Sequence, residues 1–404
     1  MTTMDQTLSD GPGIGVAPLP GSIRIDVEGW LFRCHSYALV NQYQLLELLG
    51  RPGVDLRFSE HQTIPMIGGP TPGMLTREQE SALRSIPRPS RGHVDALYRI
   101  GYPYNFAPSN AAATFVFATC ERMLLNRDSW TGDGKDAGAL IEKNNITVVT
   151  PSEWSRRGMI HSGIDPARIV VVPHGVDTSV FRPLTAEQRR AEREALGCAN
   201  RFVFANVSAL TGNKNIKGLI EAFAIVVRRY PEAMLVLKGL DSIYQSERWL
   251  QNELSSIDAY ARWKACKNMS YTGSIVSAQG LAKVYQTADC YVSPYQSEGF
   301  NLPVLEASAC GLPVVTPRGG CTDEFIDGPE QIPAALGDHE GDGTQWLKTT
   351  PEDIAVAMER VLLNTDGVQA RSLRVGPENA ARHTWKNAVD RLLGVMAPSL
   401  KGTR

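Results

Sequence analysis

Two glutamates, Glu298 and Glu306, flank a segment that reads SEGFNLPVLEAS over residues 297–308. The pattern places Glu298 on a loop after a strand and Glu306 one turn into the following helix. Pro303 fits the first helical turn, because no backbone hydrogen bond is lost there. The free N–H groups of residues 300–302 favour an anion such as a phosphate. We interpret the two carboxylates as acceptors for ribose and sugar hydroxyls; the alternative is one helix-capping and one solvated glutamate.

Regular elements must hold these side chains in position. Along the sequence, short β-branched runs alternate with segments that have the apolar spacing of amphipathic helices. Such alternation predicts parallel sheets with right-handed crossovers, so we expect an α/β fold of two doubly wound, Rossmann-like domains. Residues 60–92 predict a long loop with one short helix at 76–83, and the charged stretch 186–196 predicts the connection between domains. The other predicted strands are 22–27, 114–119, 146–150, 168–172, 201–206, 233–238, 269–273, 290–293 and 313–316, with a further strand and the loop that leaves it at 95–106. The other predicted helices are 37–49, 217–230, 280–287, 302–310, 353–363 and 385–396, with a further helix that opens at 152–160.

The composition disfavours several classes of protein. Among 404 residues, 41 are Lys or Arg and 43 are Asp or Glu, whereas nucleic-acid-binding proteins usually carry a basic excess. The apolar runs are far shorter than the roughly 20 residues that cross a bilayer, so no transmembrane segment is predicted, and peripheral membrane contact stays open. The N-terminus lacks the features of a secretory signal. Seven scattered cysteines without a Cys-x-x-Cys pair are typical of a reduced, cytoplasmic protein without a zinc site.

Several motifs occur in an order that resembles the retaining glycosyltransferases of family 4, also called glycosyl transferases group 1. The resemblance covers roughly residues 145–400 and includes the spacing of Glu298 and Glu306, with Asn301 where the family has Gly. It implies the GT-B fold, in which two Rossmann-like domains face a cleft. The other matching motifs are SEWS at 152–155, PHGVD at 173–177, NKNIKGLIEAF at 213–223, YTG at 271–273, AD at 288–289, PVV at 313–315 and GG at 319–320.

The resemblance also implies roles for particular residues. Lys214 would hold the donor diphosphate, and Glu306 would hold the ribose hydroxyls. Glu298 would hold the donor sugar together with the N–H groups of the helix start, so Glu298 and Lys214 are the predicted catalytic residues. The remaining predicted donor contacts are Gly299, Phe300, Asn301 and Leu302 at the helix start, and Gly273, Ser274 and Ile275 near the base.

The resemblance divides the chain into an acceptor-binding domain, 1–183, and a donor-binding domain, 196–383. The C-terminal helix, 384–404, would pack back on the first domain. One position departs from the family, because Ala209 stands where an arginine is usual, five residues before Lys214. The second cation for the diphosphate would then come from Lys217, Lys238 or Arg318.

The acceptor side is encoded less clearly. Many family members have a histidine at the end of a strand where Arg99 stands in this sequence. Tyr102 and Tyr104 follow it and either stack on an acceptor sugar, as aromatic faces do, or pack in the core. His35 lies on the first strand–helix loop, which faces the same cleft in this architecture. We identify no second carboxylate in the N-terminal half that is suited to act as a nucleophile.

The resemblance implies transfer of a sugar from a nucleoside diphosphate sugar, UDP- or GDP-linked, to a hydroxyl of a sugar-containing acceptor, with retention at the anomeric carbon. No Asp-x-Asp pair occurs, so neither a metal nor another cofactor is expected. Two alternatives stay open. A nucleotide-sugar 2-epimerase of the same fold would need acid–base carboxylates and histidines in the cleft, and a two-domain sugar-binding protein would bind without catalysis.

Overall fold

The computed structural model describes residues 22–401 apart from 62–68, 72, 132–135, 327, 329, 339–340 and 365–366. The segment analysed for a secretory signal, residues 1–21, lies outside the described residues, as does part of the loop predicted at 60–92. Two parallel sheets, one in each half of the chain, form the framework. We call residues 22–183 the N-terminal domain and residues 186–383 the C-terminal domain.

The N-terminal domain has the strands β1 (Ile23–Gly29), β2 (Val54–Glu60), β3 (Ala96–Ile100), β4 (Tyr104–Asn105), β5 (Ala113–Phe117), β6 (Trp130–Thr131), β7 (Ile146–Thr150) and β8 (Ile169–Val171). Six of them form one parallel sheet in the order β2-β1-β3-β5-β7-β8. Its helices are α1 (Ser36–Leu49), α2 (Arg77–Arg84), α3 (Ala137–Lys143) and α4 (Glu153–His161). Alternate side chains of β1 point to opposite faces of the sheet: Ile25 and Val27 lie in the hydrophobic core, and Asp26 and Glu28 line a cavity on the other face.

The C-terminal domain has the strands β9 (Phe202–Val207), β10 (Ala233–Lys238), β11 (Met269–Thr272), β12 (Cys290–Val292), β13 (Val314–Val315), β14 (Ala335–Asp338) and β15 (Gln345–Lys348). The first five form a parallel sheet in the order β11-β10-β9-β12-β13, and the last two form an antiparallel pair. Its helices are α5 (Ala186–Ala195), α6 (Ile216–Arg229), α7 (Asp241–Tyr244), α8 (Ser246–Ser256), α9 (Ala259–Cys266), α10 (Ala278–Thr287), α11 (Leu302–Ala309), α12 (Pro351–Leu362) and α13 (Val368–Arg382).

The strand order of this second sheet reverses between β9 and β12. In open α/β sheets, ligands bind in the crevice at the carboxyl ends of the strands where the order reverses. The loop that leaves β9 carries Lys214, and the loop that leaves β12 carries Glu298. The topology therefore brings two residues that are 84 positions apart in sequence to one place.

The last helix, α14 (Trp385–Lys401), returns to the N-terminal domain and packs on α1. The indole of Trp385 stacks on the ring of Tyr43, with centroids 5.1 Å apart. Gly175 lies directly against the backbone at the start of α14, where any Cβ would overlap the Trp385 amide nitrogen. The glycine of the PHGVD motif thus allows two parts of the chain to pack closely: the segment that leads to the C-terminal domain and the start of α14, which returns from it.

A second contact between the domains lies beside the cleft. The hydroxyl of Ser152, which caps α4, donates to the carbonyl oxygen of Gly299 at 2.6 Å. The carboxylate of Glu324, from the C-terminal domain, accepts the backbone N–H groups of Glu153 and Trp154 at 3.1 Å each. A carboxylate at a helix N-terminus is stabilising, so the first turn of α4 fixes the two domains relative to each other.

The prediction of an α/β fold with two Rossmann-like domains is confirmed. Strand β2, at the edge of the sheet, was missed although its sequence, VDLRFSE, alternates apolar and polar residues as a strand with one buried face does. The predicted connection helix at 186–196 packs on the C-terminal domain as α5, where Arg189 and Arg193 both bind the carboxylate of Asp289, at 2.7 and 2.9 Å. Helices α3, α7, α8, α9 and α13 were also missed, as were the short strands β4, β6, β14 and β15.

Candidate active site

A cleft of about 490 Å³ lies between the carboxyl ends of the two sheets. Both domains contribute charged groups to its wall. The charged and histidine residues that line it are Arg33, His35, Glu121, His174 and Asp177 from the N-terminal domain, and Lys214, Lys238, Glu298 and Glu306 from the C-terminal domain. The cleft therefore has cations that suit a phosphate and carboxylates that suit hydroxyls.

Lys214 and Glu298 form an ion pair in this cleft, with Lys214 Nζ donating to Glu298 Oε1. The two loops are tied together beside it, because Asn213 Nδ2 donates to the carbonyl oxygen of Ser297 at 3.0 Å. Burial disfavours the charge on Lys214, but Glu298 and then Glu121 outweigh that cost and raise the pKa of the ammonium group. Lys214 therefore stays charged over the whole physiological range of pH.

The start of α11 lies at the cleft, as the position of Pro303 in its first turn predicts. Asn301 precedes the helix with φ 71°, in the left-handed region. Glycine, and to a lesser extent asparagine, adopts this conformation readily, which explains why Asn can stand where the family has Gly. Among the described residues, no acceptor is found for the N–H groups of residues 299–302. These four donors are available to a ligand.

Glu306 lies on α11 at the inner end of the cleft and is 7% exposed. Its Oε2 accepts a hydrogen bond from the hydroxyl of Tyr285 at 2.8 Å. Burial raises the pKa of the Glu306 carboxyl to about 7, even though the hydrogen bond from Tyr285 favours the ionised form. The carboxylate has acceptor capacity left for the hydroxyls of a ligand.

The three residues predicted near the base do not share one environment. Ile275 lines the cleft. Gly273 lies against Asp241, whose carboxylate fills the space that a Cβ would need, and Ser274 is exposed with its hydroxyl 3.1 Å from that of Thr272. The prediction was too broad because β11 ends at Thr272 and the next residues turn away before Ile275 reaches the cleft.

Lys238 lines the cleft, whereas Lys217 and Arg318 do not, so it is the best placed of the three cations considered for the missing arginine. It ends β10 and is 5% exposed. Its Nζ donates to the carbonyl oxygen of Gly239, and burial lowers its pKa. Within the described part of the chain, no carboxylate lies within ion-pair distance of this ammonium group.

His35 lies in the cleft, where its Nδ1 caps α1 by accepting the N–H of Tyr37 at 3.2 Å. Its ring centroid is 6.3 Å from that of Tyr244, across the domain boundary. Burial lowers the pKa of His35 to about 4, so the ring is neutral at physiological pH.

The structure does not bring Arg99, Tyr102 or Tyr104 to the cleft. Arg99 faces the same side of the sheet as Glu28, its direct partner on β1, and Arg99 Nε donates to Glu28 Oε2 at 2.9 Å. The Tyr104 hydroxyl donates to the carbonyl oxygen of Thr119 at 2.8 Å, and the ring of Tyr102 packs edge-on against it at 5.7 Å. The two tyrosines therefore pack within the N-terminal domain rather than line the cleft. The side chain of Arg99 lies on the face of the sheet that carries Glu28, which the sequence analysis did not predict.

Sequence reasoning missed Glu121, a carboxylate that the N-terminal half contributes to the cleft. Glu121 follows β5 and lines the cleft opposite Lys214 and Glu298. Burial raises its pKa, Lys214 opposes that rise, and Glu298 adds to it. A signal was present: Glu121 comes shortly after a buried strand, and residues at the carboxyl ends of parallel strands meet at the ligand site.

Comparisons with known proteins identify similar sequences and folds. The family model described as glycosyl transferases group 1 matches residues 188–372. Over these residues, a little under half of its length, the chain is similar to the glycosyl transferases group 1 family. It is 32% identical over 267 residues to a D-inositol 3-phosphate glycosyltransferase of Segniliparus rotundus, covering 66% of this chain and 55% of that protein. A Mycobacterium leprae protein of the same name is 32% identical over 261 residues, covering 62% and 54%. The chain thus spans about half the length of the curated relatives it matches.

Solved structures share the fold of this chain at low sequence identity. A glycosyltransferase from Rickettsia africae has a TM-score of 0.68 at 14% identity, covering 95% of this chain and all of that one. HepE from Anabaena, solved with UDP and glucose, has a TM-score of 0.62 at 15% identity, covering 93% of this chain and all of that one. Over the residues that the structure describes, no helix has both the length and the apolar character to cross a membrane. Within the same residues, no cluster of three or more His, Cys, Asp and Glu side chains could hold a metal ion.

Proposed function

We propose that this protein transfers a sugar from a nucleoside diphosphate sugar to a hydroxyl group of an acceptor, with retention at the anomeric carbon and without a metal. The observation that carries the proposal is the arrangement at the start of α11. Lys214 and four N–H donors without described partners lie beside Glu298 and Glu306. Cations and amides suit a diphosphate, and buried carboxylates suit the hydroxyls on either side of it.

The reaction breaks the bond between the anomeric carbon and a phosphate oxygen, and the electron pair stays on the diphosphate. Fixed donors aimed at this developing charge stabilise the transition state. Lys214, the N–H groups of residues 299–302 and Lys238 would supply them. Glu298 would hold the sugar and balance the positive charge that develops on its ring. The contact between the domains at Ser152 and Gly299 would keep water out of the cleft.

UDP-glucose is the donor that we test first, because HepE, which shares the fold, has been solved with UDP-glucose. Inositol 3-phosphate is the first acceptor, because the curated relatives are named for it. Both substrates are proposals for this chain. A bound phosphate on the acceptor would be compatible with Arg33, a cation that the N-terminal domain places in the cleft.

The test incubates the protein with UDP-, GDP-, ADP- and dTDP-glucose, each with inositol 3-phosphate and with free sugars, and analyses products by NMR. We expect a glycoside whose anomeric configuration equals that of the donor. Donor epimerised at C2 would indicate the 2-epimerase, and binding without turnover would indicate a sugar-binding protein.

Two lysine variants test the residue assignment. Lys214→Met should lower kcat by 100-fold or more, since losing one donor to a developing oxyanion costs about 10²–10³-fold. Lys217→Met removes an exposed lysine three residues along the same helix start, outside the cleft, and should change kcat less than twofold. Equal activity of the two variants would contradict the assignment.

A further inference from the structure

Glu121 differs from the other glutamates of the cleft in having no partner. Glu298 is paired with Lys214, and Glu306 accepts from Tyr285. The carboxylate of Glu121 makes no hydrogen bond and no ion pair within 4 Å to any residue that the structure describes. A desolvated carboxylate without a donor costs free energy. Such a group is expected where a ligand supplies the missing donors, and a carboxylate can only accept them.

Hydrogen bonds to side chains of α4 hold the backbone at Glu121 in place. Its carbonyl oxygen accepts the indole N–H of Trp154 at 2.9 Å, and the preceding N–H, of Cys120, donates to Ser155 Oγ at 2.9 Å. Both partners lie on α4, the helix whose first turn is held by Glu324 from the C-terminal domain. The helix that joins the two domains therefore also fixes the backbone at Glu121 beside the cleft.

The charges around Glu121 show which part of the cleft it faces. Lys214 is the largest attractive influence on its carboxylate, and Glu298 is the largest repulsive one. Glu121 belongs to the N-terminal domain, whereas Lys214 and Glu298 belong to the C-terminal domain. Glu121 therefore faces the lysine of the proposed phosphate site from the opposite wall.

Retention fixes where the acceptor must enter. If the anomeric configuration is kept without a covalent intermediate, the acceptor hydroxyl approaches from the face that the phosphate leaves. Lys214 marks that face in the proposed function, and Glu121 lines the same cleft close enough to Lys214 to raise the pKa of its ammonium group. From this geometry we propose that Glu121 binds the acceptor hydroxyl and takes its proton as the glycosidic bond forms, an inference that rests on the proposed function.

The step balances. The acceptor oxygen forms a bond to the anomeric carbon, the bond from that carbon to the phosphate oxygen breaks, and its electron pair leaves with the diphosphate. The hydroxyl proton moves to Glu121, which returns it to water after product release. A carboxyl whose pKa is raised above its ordinary range is better suited to accept a proton than an ordinary one.

The histidines of the cleft are weaker candidates for this task. Burial lowers the pKa of His35 to about 4 and that of His174 to about 3. Protonating either ring in place would be unfavourable. His174 is further enclosed by aromatic rings, with centroid distances of 5.5 Å to Phe117 and 4.9 Å to Phe300.

The test compares Glu121→Gln with a control, Glu142→Gln, an exposed glutamate on α3 of the same domain. Transfer is measured with the reacting pair from the panel above, and UDP binding is measured by calorimetry. We expect Glu121→Gln to lower kcat by 100-fold or more without raising the UDP dissociation constant. The control should match the wild type in both. Glu121→Asp, which keeps a carboxylate, should retain more activity than Glu121→Gln and serves if the Gln variant does not fold.

A third variant separates a base from a nucleophile. In Glu121→Ala, formate should restore part of the transfer, because a small carboxylate can accept the proton in the vacated space. Azide should not react with the donor. Formation of a glycosyl azide of inverted configuration would show instead that Glu121 attacks the anomeric carbon in the wild type, and would overturn the proposal.

Two other results would overturn it. One is a kcat for Glu121→Gln within threefold of the wild type, and the other is a loss of UDP affinity as large as the loss of kcat, which would assign Glu121 to the donor. These results leave the proposed function intact because the wild type is active in both. A wild-type protein that transfers no sugar with any pair would overturn the proposed function, and this inference with it.

Discussion

Glu306→Gln should make the protein more stable and its nucleotide binding weaker. The Glu306 carboxyl is almost fully buried, and its pKa is raised from 4.5 to about 7. A folded protein that binds a proton more tightly than the unfolded chain becomes less stable as the pH rises through this interval. The stability is complete below about pH 4.5, falls between 4.5 and 7, and stays reduced above 7. Glutamine is nearly isosteric and still accepts from Tyr285, so it removes this cost.

The magnitude follows from the shift of the pKa. At about 1.4 kcal/mol per unit, the step from 4.5 to about 7 corresponds to about 3 kcal/mol of unfolding free energy above pH 7. At pH 5.5 the cost is only partly developed and amounts to about 1.4 kcal/mol. Glu306→Gln should therefore gain about 3 kcal/mol over the wild type at pH 8 and about half of that at pH 5.5.

Urea unfolding of the wild type and Glu306→Gln at both values of pH measures this difference, with Glu142→Gln as the exposed control. Calorimetry with UDP should show about tenfold weaker binding by Glu306→Gln at pH 8, since a hydrogen bond to a charged group contributes about 1.5–3 kcal/mol. A variant that is no more stable than the wild type at pH 8, or equally stabilised at both pH values, would refute the reasoning about burial.

Two further predictions concern the cations and the helix start. Lys238→Met should weaken UDP binding about tenfold by calorimetry, because a buried cation without a carboxylate partner is lost, whereas Lys217→Met should bind UDP as the wild type does; equal affinities would contradict the phosphate role of Lys238. Asn301→Ala should be about 1 kcal/mol less stable in urea than Asn301→Gly, because only glycine adopts φ 71° without strain; an alanine variant as stable as the glycine variant would contradict the left-handed conformation.

The C-terminal half of the site could be predicted from the sequence because its determinants are local. Pro303 at the helix start and the two glutamates on either side of it, Glu298 and Glu306, lie within one short segment. Helix geometry places Glu306 relative to the helix start, and the short loop before the helix keeps Glu298 near it. Lys214 could be added because the carboxyl ends of neighbouring strands meet at one edge of the sheet.

The N-terminal half could not be predicted in the same way. Whether Arg99 faces the cleft depends on the register between β1 and β3, and a shift of one residue reverses the face. Glu121 reaches Lys214 only because two domains meet, and no spacing in the sequence encodes that meeting. Strand β2 is a different case, because its alternation of apolar and polar residues, Val54, Leu56 and Phe58 being apolar, was a strand signal that was overlooked.

The arrangement of charges explains how one cleft can hold a diphosphate and several carboxylates. Lys214 is held between Glu298 and Glu121, one from each domain, so its charge is in place before a ligand arrives. When a diphosphate takes over the lysine, both carboxylates lose attraction and need other donors. The hydroxyls of a donor sugar and of an acceptor can supply them, one on each wall. A nucleotide without its sugar leaves these carboxylates unsatisfied, and we therefore expect UDP to bind more weakly than UDP-glucose when calorimetry compares the two. Tighter binding of UDP than of UDP-glucose would contradict this division of the cleft.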